Sequence, residues 1–499
     1  MKTFTPFRVL ALALCCGLVF FGCDEDEILD IENTNLLNSD IVNGSVTAQQ
    51  GAVNAAYAPL RNLGLYARWG FYLEDHMSDE LTIQIPQPSI QRISDHLLDA
   101  TTVANTQYYN ACYQGVNLAN NVIANAENWT TGEDIVTPFV AEARFMRGLY
   151  YFLLASRFGD VPLRSESVTE FVPLSPQAEV YAFIAEDFQF AAENLADRGA
   201  TELGRPSNES AYGMLGKIQL YRENWQAAFD AFDQVVSYSL MDEYTANFDA
   251  ANEYNDESLF EVGFTLNGNT QFVWSNRADQ PSVVTFRSTD YSAWTNSKPS
   301  DKMLAEYEPF DSRQDDTFWQ PGDPYGGEGS DKVWGTDADG GPQGFGGPGS
   351  GTVCSRKYSE YIDQPQQTQQ FSGVNPRLLR YADVLLMKAE AAMRLNRLDE
   401  AVSLMNEVRA RPSVDMPPYG SLDMDLAGFP VSTQDEVFEA IQHERMIELA
   451  LEGHRLRDLQ RWGIDQRELA ALKPAYGADR RFLPIPQGQI NSNPLIGGE

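Results

Sequence analysis

Tyr381-Ala-Asp-Val-Leu-Leu-Met-Lys-Ala-Glu-Ala-Ala-Met-Arg-Leu-Asn-Arg-Leu-Asp-Glu-Ala-Val-Ser-Leu-Met-Asn-Glu-Val408 is the stretch from which the fold is read. Ala389 and Ala401 lie twelve residues apart, with Met405 and Val408 beyond them. Small residues at that spacing let two paired helices approach closely, and the later apolar positions pack on a neighbouring pair. The same arrangement occurs upstream in Tyr212 to Val236, where Gly216 and Ala228 are twelve apart and Phe232 and Val235 follow.

This is the spacing of tetratricopeptide repeats. A single pair cannot bury its own apolar face, so several must stack. Two further pairs are expected around residues 136–196 and 434–463. In the first, Phe139, Ala143, Met146, Tyr150 and Leu153 make one helical stripe. Gly159-Asp160-Val161-Pro162 then supplies turn residues that stop the helix.

Between the two helical blocks, from about Asn252 to Asn375, neither the helical nor the strand period is sustained. Short β-like runs such as Ser282-Val283-Val284-Thr285-Phe286 occur, and Pro321 to Gly351 is rich in glycine and aspartate. Long irregular stretches inside compact domains are usually functional or disordered. Four of the eight tryptophans fall in this region, Trp274, Trp294, Trp319 and Trp334, alongside Tyr291 and Tyr325. Their spacing is not that of a helix core. Aromatic faces suit the C–H faces of sugar rings, and neighbouring Asn, Asp and Arg suit the hydroxyls. The competing role is to pack the irregular lobe onto the repeats.

The N-terminus carries Lys2 and Arg8, an uncharged and mostly apolar run from Val9 to Phe21, and then Gly22-Cys23. The run is shorter than the roughly 20 apolar residues that a membrane-spanning helix needs, and it has the charge order of a secretory leader. A small residue before a cysteine at the end of such a leader resembles the bacterial lipobox, which makes Cys23 the expected lipidated N-terminus. Two acyl signals hold a protein on a membrane far better than one. The acidic run Asp24-Glu25-Asp26-Glu27 follows and reads as the start of a solvated tether, or as a surface-export signal.

Cys15, Cys16 and Cys23 lie in or at the leader, leaving Cys112 and Cys354 for the exported domain. Two cysteines make no disulfide framework, whether or not they pair, so the fold rests on its core. The net charge of −35 argues against nucleic-acid binding, which needs clustered Lys and Arg. Lysine supplies only eight of the 36 basic residues, a balance that resembles proteins of salt-adapted organisms.

Other motifs favour structure over chemistry. Glu444, Glu448 and Glu452 recur every four residues, with Arg445 and Arg455 three residues from members of the series. That pattern predicts a partly buried ion-pair network that fixes how the helix docks. His443 and His454 are too far apart for a zinc pair without a third ligand nearby. Asp331, Asp337 and Asp339 suggest calcium through oxygen ligands, but the EF-hand glutamate is missing. Neither a phosphate-binding Gly-Lys-Ser/Thr ending nor a Gly-x-Ser-x-Gly elbow is present. No metal or cofactor is expected.

Five segments resemble the SusD/RagB family. They are Ala141-Glu-Ala-Arg-Phe-Met-Arg-Gly-Leu-Tyr-Tyr151 with Phe158-Gly-Asp-Val-Pro-Leu163; Ala211 to Val235; and Leu379-Arg-Tyr-Ala-Asp-Val-Leu-Leu-Met-Lys-Ala-Glu390. The others are Glu444-Arg-Met-Ile-Glu-Leu-Ala-Leu-Glu-Gly-His-Arg455 with Asp458-Leu-Gln-Arg-Trp462, and Phe482-Leu-Pro-Ile-Pro-Gln487 with Ile490 and Asn493-Pro494. Ser78-Asp79-Glu80 is similar to the family's Ser/Thr-Asp-Glu segment, whose following loop commonly borders the ligand site.

The resemblance implies a mainly α, SusD-like fold: a scaffold of four tetratricopeptide pairs carrying an irregular, loop-rich lobe with few short strands. It implies an outward-facing outer-membrane lipoprotein that binds glycan or oligosaccharide without catalysis. Its implied partner is a SusC-like TonB-dependent transporter, on which it sits as a lid. The expected organisation is a leader at 1–22, a tether at 23–44, helical regions at 45–250 and 377–499, and a ligand-binding lobe at 251–376. The expected ligand contacts are Trp274, Trp294, Trp319, Trp334, Tyr325 and Asp79. Peptide capture, as in RagB-like members, and glycoside hydrolysis by paired carboxylates are the alternative readings. The segment Pro321–Gly351 is longer and richer in glycine than its family counterpart, so ligand identity transfers least.

Overall fold

Ala389 and Ala401 are both fully buried, as are Met405 and Val408. The two helices they sit on therefore meet at the expected seam. In the computed structural model the described residues are 42–83, 87–166, 170–265, 283–284, 297–325, 332–333, 353–358 and 371–496. Residues 1–41, which hold the expected leader, Cys23 and most of the tether, lie outside them.

The longer helices are α1 (Val46–Tyr57), α2 (Val103–Ala126), α3 (Glu133–Phe158), α4 (Gln177–Asn194), α5 (Asn208–Tyr221) and α6 (Trp225–Phe232). After the lobe come α7 (Tyr381–Arg394), α8 (Leu398–Arg409), α9 (Gln434–Glu448) and α10 (Arg455–Trp462). Each of α3 to α8 packs on its successor, so helices on either side of the lobe form one stack, closed where α6 meets α7. One buried apolar cluster runs from Ala56 to Leu483 through both blocks. The two best-marked pairs are thus α5–α6 and α7–α8, with α3–α4 before them. The fourth expected pair is less regular, because α9 ends at Glu448 and Leu451 takes a positive φ of 60° before α10 begins.

Local signals account for the helix ends. Thr433 accepts from the Glu436 N–H while the Glu436 carboxylate accepts from the Thr433 N–H, a capping box that starts α9. Gly159 ends α3 at φ 71°, a conformation that favours glycine.

At Gly216 the α5 backbone lies close against α6, and a Cβ there would sit 2.4 Å from the buried Phe232 ring. Helix propensity alone favours Ala over Gly by about 1 kcal/mol. Forcing the pair apart costs about 1–3 kcal/mol, and a larger side chain costs more. Gly216→Val is therefore expected to lower the melting temperature measured by calorimetry. An unchanged value would contradict this packing.

Strands are few, and none among the described residues exceeds four residues. They are β1 (Leu81–Ile83), β2 (Ser258–Glu261), β3 (Ser297–Pro299), β4 (Phe318–Trp319), β5 (Pro324–Tyr325), β6 (Lys332–Val333), β7 (Cys354–Ser355) and β8 (Arg377–Arg380), with minor pairs at Val161–Pro162/Leu174–Ser175 and Val283–Val284/Phe371–Ser372. Antiparallel β2 and β8 clamp the two stalks of the lobe together where it leaves and rejoins the stack. Of the β-like run at 282–286, Val283 and Val284 form a strand and the rest lies outside the described residues. Cys112 and Cys354 are both buried free thiols, the first in α2 and the second in β7.

Candidate ligand-binding site

The lobe is placed by strand pairing and then held by buried charge. β1 follows directly on Ser78-Asp79-Glu80 and pairs antiparallel with β3, putting Leu81 opposite Pro299 and Ile83 opposite Ser297. The residues directly after Asp79 are thereby joined to the lobe through β3. β5 pairs with β6, with Tyr325 opposite Lys332, and β4 pairs with β7, with Trp319 opposite Cys354.

Asp79 does not border open space, as the sequence reading expects. It is fully buried, and its two carboxylate oxygens each accept from Arg455, at 2.9 Å. Lys302 donates to one of them at 2.5 Å, and the Asp79 carbonyl accepts from the Ser300 hydroxyl at 2.6 Å. Burial opposes the charge, but Arg455 and Lys302 outweigh it and hold the carboxyl at about 2. Asp79 therefore ties the start of α10 to the lobe, and its charge is spent within the protein.

Trp319 is a second correction. Its side chain is 1% exposed, with the Arg356 guanidinium 4.5 Å from a ring centroid. A ring so enclosed packs the lobe and offers no face to a ligand. Tyr325 lies in β5, and Trp334 follows β6 directly in sequence. Trp274, Trp294 and Trp334 lie outside the described residues, as do Asp331, Asp337 and Asp339. Among the described residues no group of His, Cys, Asp and Glu is placed to hold a metal ion.

The expected ion-pair network is present, with different partners. Glu444 accepts from Arg313 at 2.6 Å and Arg409 at 2.9 Å; Glu448 accepts from Arg380 at 2.7 Å, Arg411 at 2.8 Å and Arg313 at 3.0 Å. Glu452, on the turn after α9, accepts from Arg380 and Lys357, each at 2.7 Å. All of these side chains are at most 1% exposed. Arg445 and Arg455, the helical neighbours in sequence, turn instead to Asp383 and Asp458 and to Asp79. Arg313 and Lys357 belong to the lobe, so the network bolts the lobe to α9. His443 stacks on Phe429 at 3.8 Å and bonds Glu306 and Glu308.

These groups make stability depend on pH. Burial, the largest cause, pushes His76, His96 and His454 down to about 3, with Lys473 beside the first two and Lys217 beside the third adding to it. They are neutral in the fold but take protons in the unfolded chain near the ordinary value of 6.5. The unfolded state thus binds more protons between those limits, and stability is lost as pH falls. Glu452 adds to the loss at lower pH: burial opposes its charge, but Arg380 and Lys357 hold it at about 2. His443 and Glu80 run the other way, as do Glu142, Asp187, Asp316 and Glu407, whose carboxyls burial raises. Burial lowers His443 but Glu306 and Glu308 raise it further, while burial and then Asp75 raise Glu80, so both contribute more at low pH. The three histidines are the groups through which acid weakens the fold below the ordinary histidine value. A His76→Gln variant is expected to lose less melting temperature than the wild type between pH 7 and pH 4, and identical calorimetric profiles would contradict this.

A cleft of about 530 Å³ lies elsewhere, between α5, α6, α7 and α10, and includes Trp225, Arg394 and Trp462. The sequence reading gives these residues no binding role. The available signal was the pair of tryptophans at opposite ends of two short helices, Trp225 opening α6 and Trp462 closing α10.

Residues 225–480 match the profile of the SusD family, and residues 29–220 match a profile described as starch-binding associating with outer membrane. A curated relative, SusD-like protein P25 of Formosa agariphila, is 24% identical over 95% of this chain and 95% of its own. The crystal structure of a SusD superfamily protein from Bacteroides vulgatus superposes with a TM-score of 0.77 at 26% identity, covering 91% of this chain and 98% of that one. A structure named as a laminarin-binding SusD-like protein superposes with a TM-score of 0.72 at 24% identity, covering 90% and 97%.

Proposed function

The chain belongs to the SusD family, and on that premise we propose that it binds glycan at the outer face of the outer membrane. In this reading a lipid on Cys23 tethers it, and it hands its ligand to a SusC-like TonB-dependent transporter. The observation that carries the reading is the mounting of the lobe. Pairing of β1 with β3 holds Leu81–Ile83, directly after Ser78-Asp79-Glu80, against Ser297–Pro299 of the lobe. Buried ion pairs from Arg313 and Lys357 then fix the lobe on a rigid helical stack. A preorganised platform of this kind suits a ligand site that needs placement more than chemistry. A relative of the same fold is named as laminarin-binding, which supports a carbohydrate ligand.

The carboxylates also support binding over hydrolysis. Glu444, Glu448 and Glu452 are buried, and arginine holds each carboxyl below its ordinary range against the cost of burial. A glycosidase needs a reachable pair of carboxyl groups, one of them kept protonated, and this cluster meets neither condition. Affinity electrophoresis through gels containing laminarin or other neutral glucans is expected to retard the protein, with no new reducing ends. Release of reducing ends would overturn the non-catalytic reading, and free migration through every glycan tried would overturn the glycan reading.

A further inference from the structure

The cleft between α5, α6, α7 and α10 has walls that are aromatic and cationic at once, with Tyr221, Trp225 and Trp462 beside Arg394, Arg457 and Arg461. Its lining residues among those described all lie outside the lobe at 251–376. Most of the arginines are already engaged. Arg461 donates to both oxygens of Glu390 at 2.6 Å each, and Arg457 donates to Glu74 at 2.5 Å. Arg394 differs. Its guanidinium lies 4.4 Å from the Phe438 ring centroid and 5.4 Å from that of Trp225. Its Nε is buried with no hydrogen-bond partner, and it makes no ion pair among the described residues. Glu390, one turn earlier on α7, is taken by Arg461 and by the Trp462 indole N–H at 3.0 Å.

A guanidinium beside aromatic faces is held in orientation while its N–H edge stays available, and that edge matches a planar carboxylate. In a chain of net charge −35, a half-buried arginine without a carboxylate is a fixed positive point in a negative field. We propose that this cleft is a second ligand site, which takes a carboxylate-bearing sugar with its acid group on Arg394 and its apolar ring face on Trp225. The volume suits one or two sugar rings, being near the low end of the range for small-molecule sites. A peptide would want an open strand edge or a long groove. The lining residues that belong to regular elements are all helical.

The test is a ligand-observed NMR titration of the whole exported domain with methyl β-D-glucuronide, methyl β-D-glucoside and an acetylated dipeptide with a free carboxylate. The glucuronide is expected to bind roughly tenfold or more tighter than the glucoside, the scale of one bidentate charge-assisted contact. Arg394→Gln should remove that preference, and Arg394→Lys, which keeps the charge but not the fork, should restore part of it. Trp225→Ala should weaken both sugars. Melting curves identify any variant that fails to fold, and the wild-type comparison of the two glycosides decides the question without them. Equal binding of the two glycosides, no binding of either, or a folded Arg394→Gln variant that still prefers the glucuronide would overturn the proposal. Tighter binding of the dipeptide than of the glucuronide would overturn the assignment to a sugar.

Discussion

Glu448→Ala is expected to lower the free energy of unfolding by about 3–5 kcal/mol, because it strands buried positive charge. Glu448 accepts from Arg313, Arg380 and Arg411, all at most 1% exposed. Without it the three guanidiniums would keep Glu444, Glu257 and Glu452 as partners but lose their shared centre. Buried ion pairs are weak evidence of net stabilisation, since well-packed apolar replacements often do as well. Loss of one member is a different matter, because the remaining charges cannot reach water. The comparison is Glu400→Ala, whose side chain is 45% exposed and 3.8 Å from Arg397. That change should stay within about 0.5 kcal/mol. Equal melting temperatures for the two variants would contradict the network's role in seating the lobe.

The tryptophans of the lobe should separate into two classes. Trp319→Ala removes a ring that is 1% exposed and is expected to cost about 3–5 kcal/mol of stability. Trp294→Ala and Trp334→Ala are expected to leave the melting temperature within a degree or two, the scale of a surface change. Each should instead weaken binding of a glycan that retards the wild type by about 1–3 kcal/mol, by analogy with base–aromatic stacking. Calorimetric titration and melting on the same samples check both halves. If Trp294→Ala and Trp334→Ala bind like wild type, the platform lies elsewhere. If they melt as early as Trp319→Ala, they are packing too.

The helical scaffold was legible because its signal is periodic and local. Gly216 and Ala228, like Ala389 and Ala401, announce close helix pairs through spacing alone, and Thr433 with Glu436 marks a helix start through a four-residue motif. The charge network was legible only in part. Glu444 and Glu448 declare a shared face, but their partners come from residues 313, 380, 409 and 411. No short-range pattern links residues brought together by the fold alone. Arg445 and Arg455 sit at salt-bridging spacing and yet reach outward to Asp383, Asp458 and Asp79. Distance along the helix is a weaker constraint on an arginine than the demand that every buried carboxylate be paired.

Trp319 and Asp79 failed as ligand contacts for a related reason. Residue type marks both as suited to sugar binding, but burial is a tertiary property. A tryptophan in an irregular segment packs when that segment folds back, as β4 does against β7, and an aspartate beside a loop is absorbed when arginine and lysine converge on it. Arg394 is the converse case. Nothing in its sequence neighbourhood distinguishes it from the arginines around it, and only the fold shows Glu390 engaged elsewhere.

The most direct measurement is a crystal structure of the exported domain with an oligosaccharide that retards it in affinity gels. The sugar is expected on the lobe, beside the edge where β1 meets β3, stacked on Trp294 or Trp334 and touching neither Trp319 nor Asp79. A sugar seated away from that edge and from residues 251–376, with the lobe tryptophans uninvolved, would contradict the assignment of the lobe as the glycan platform.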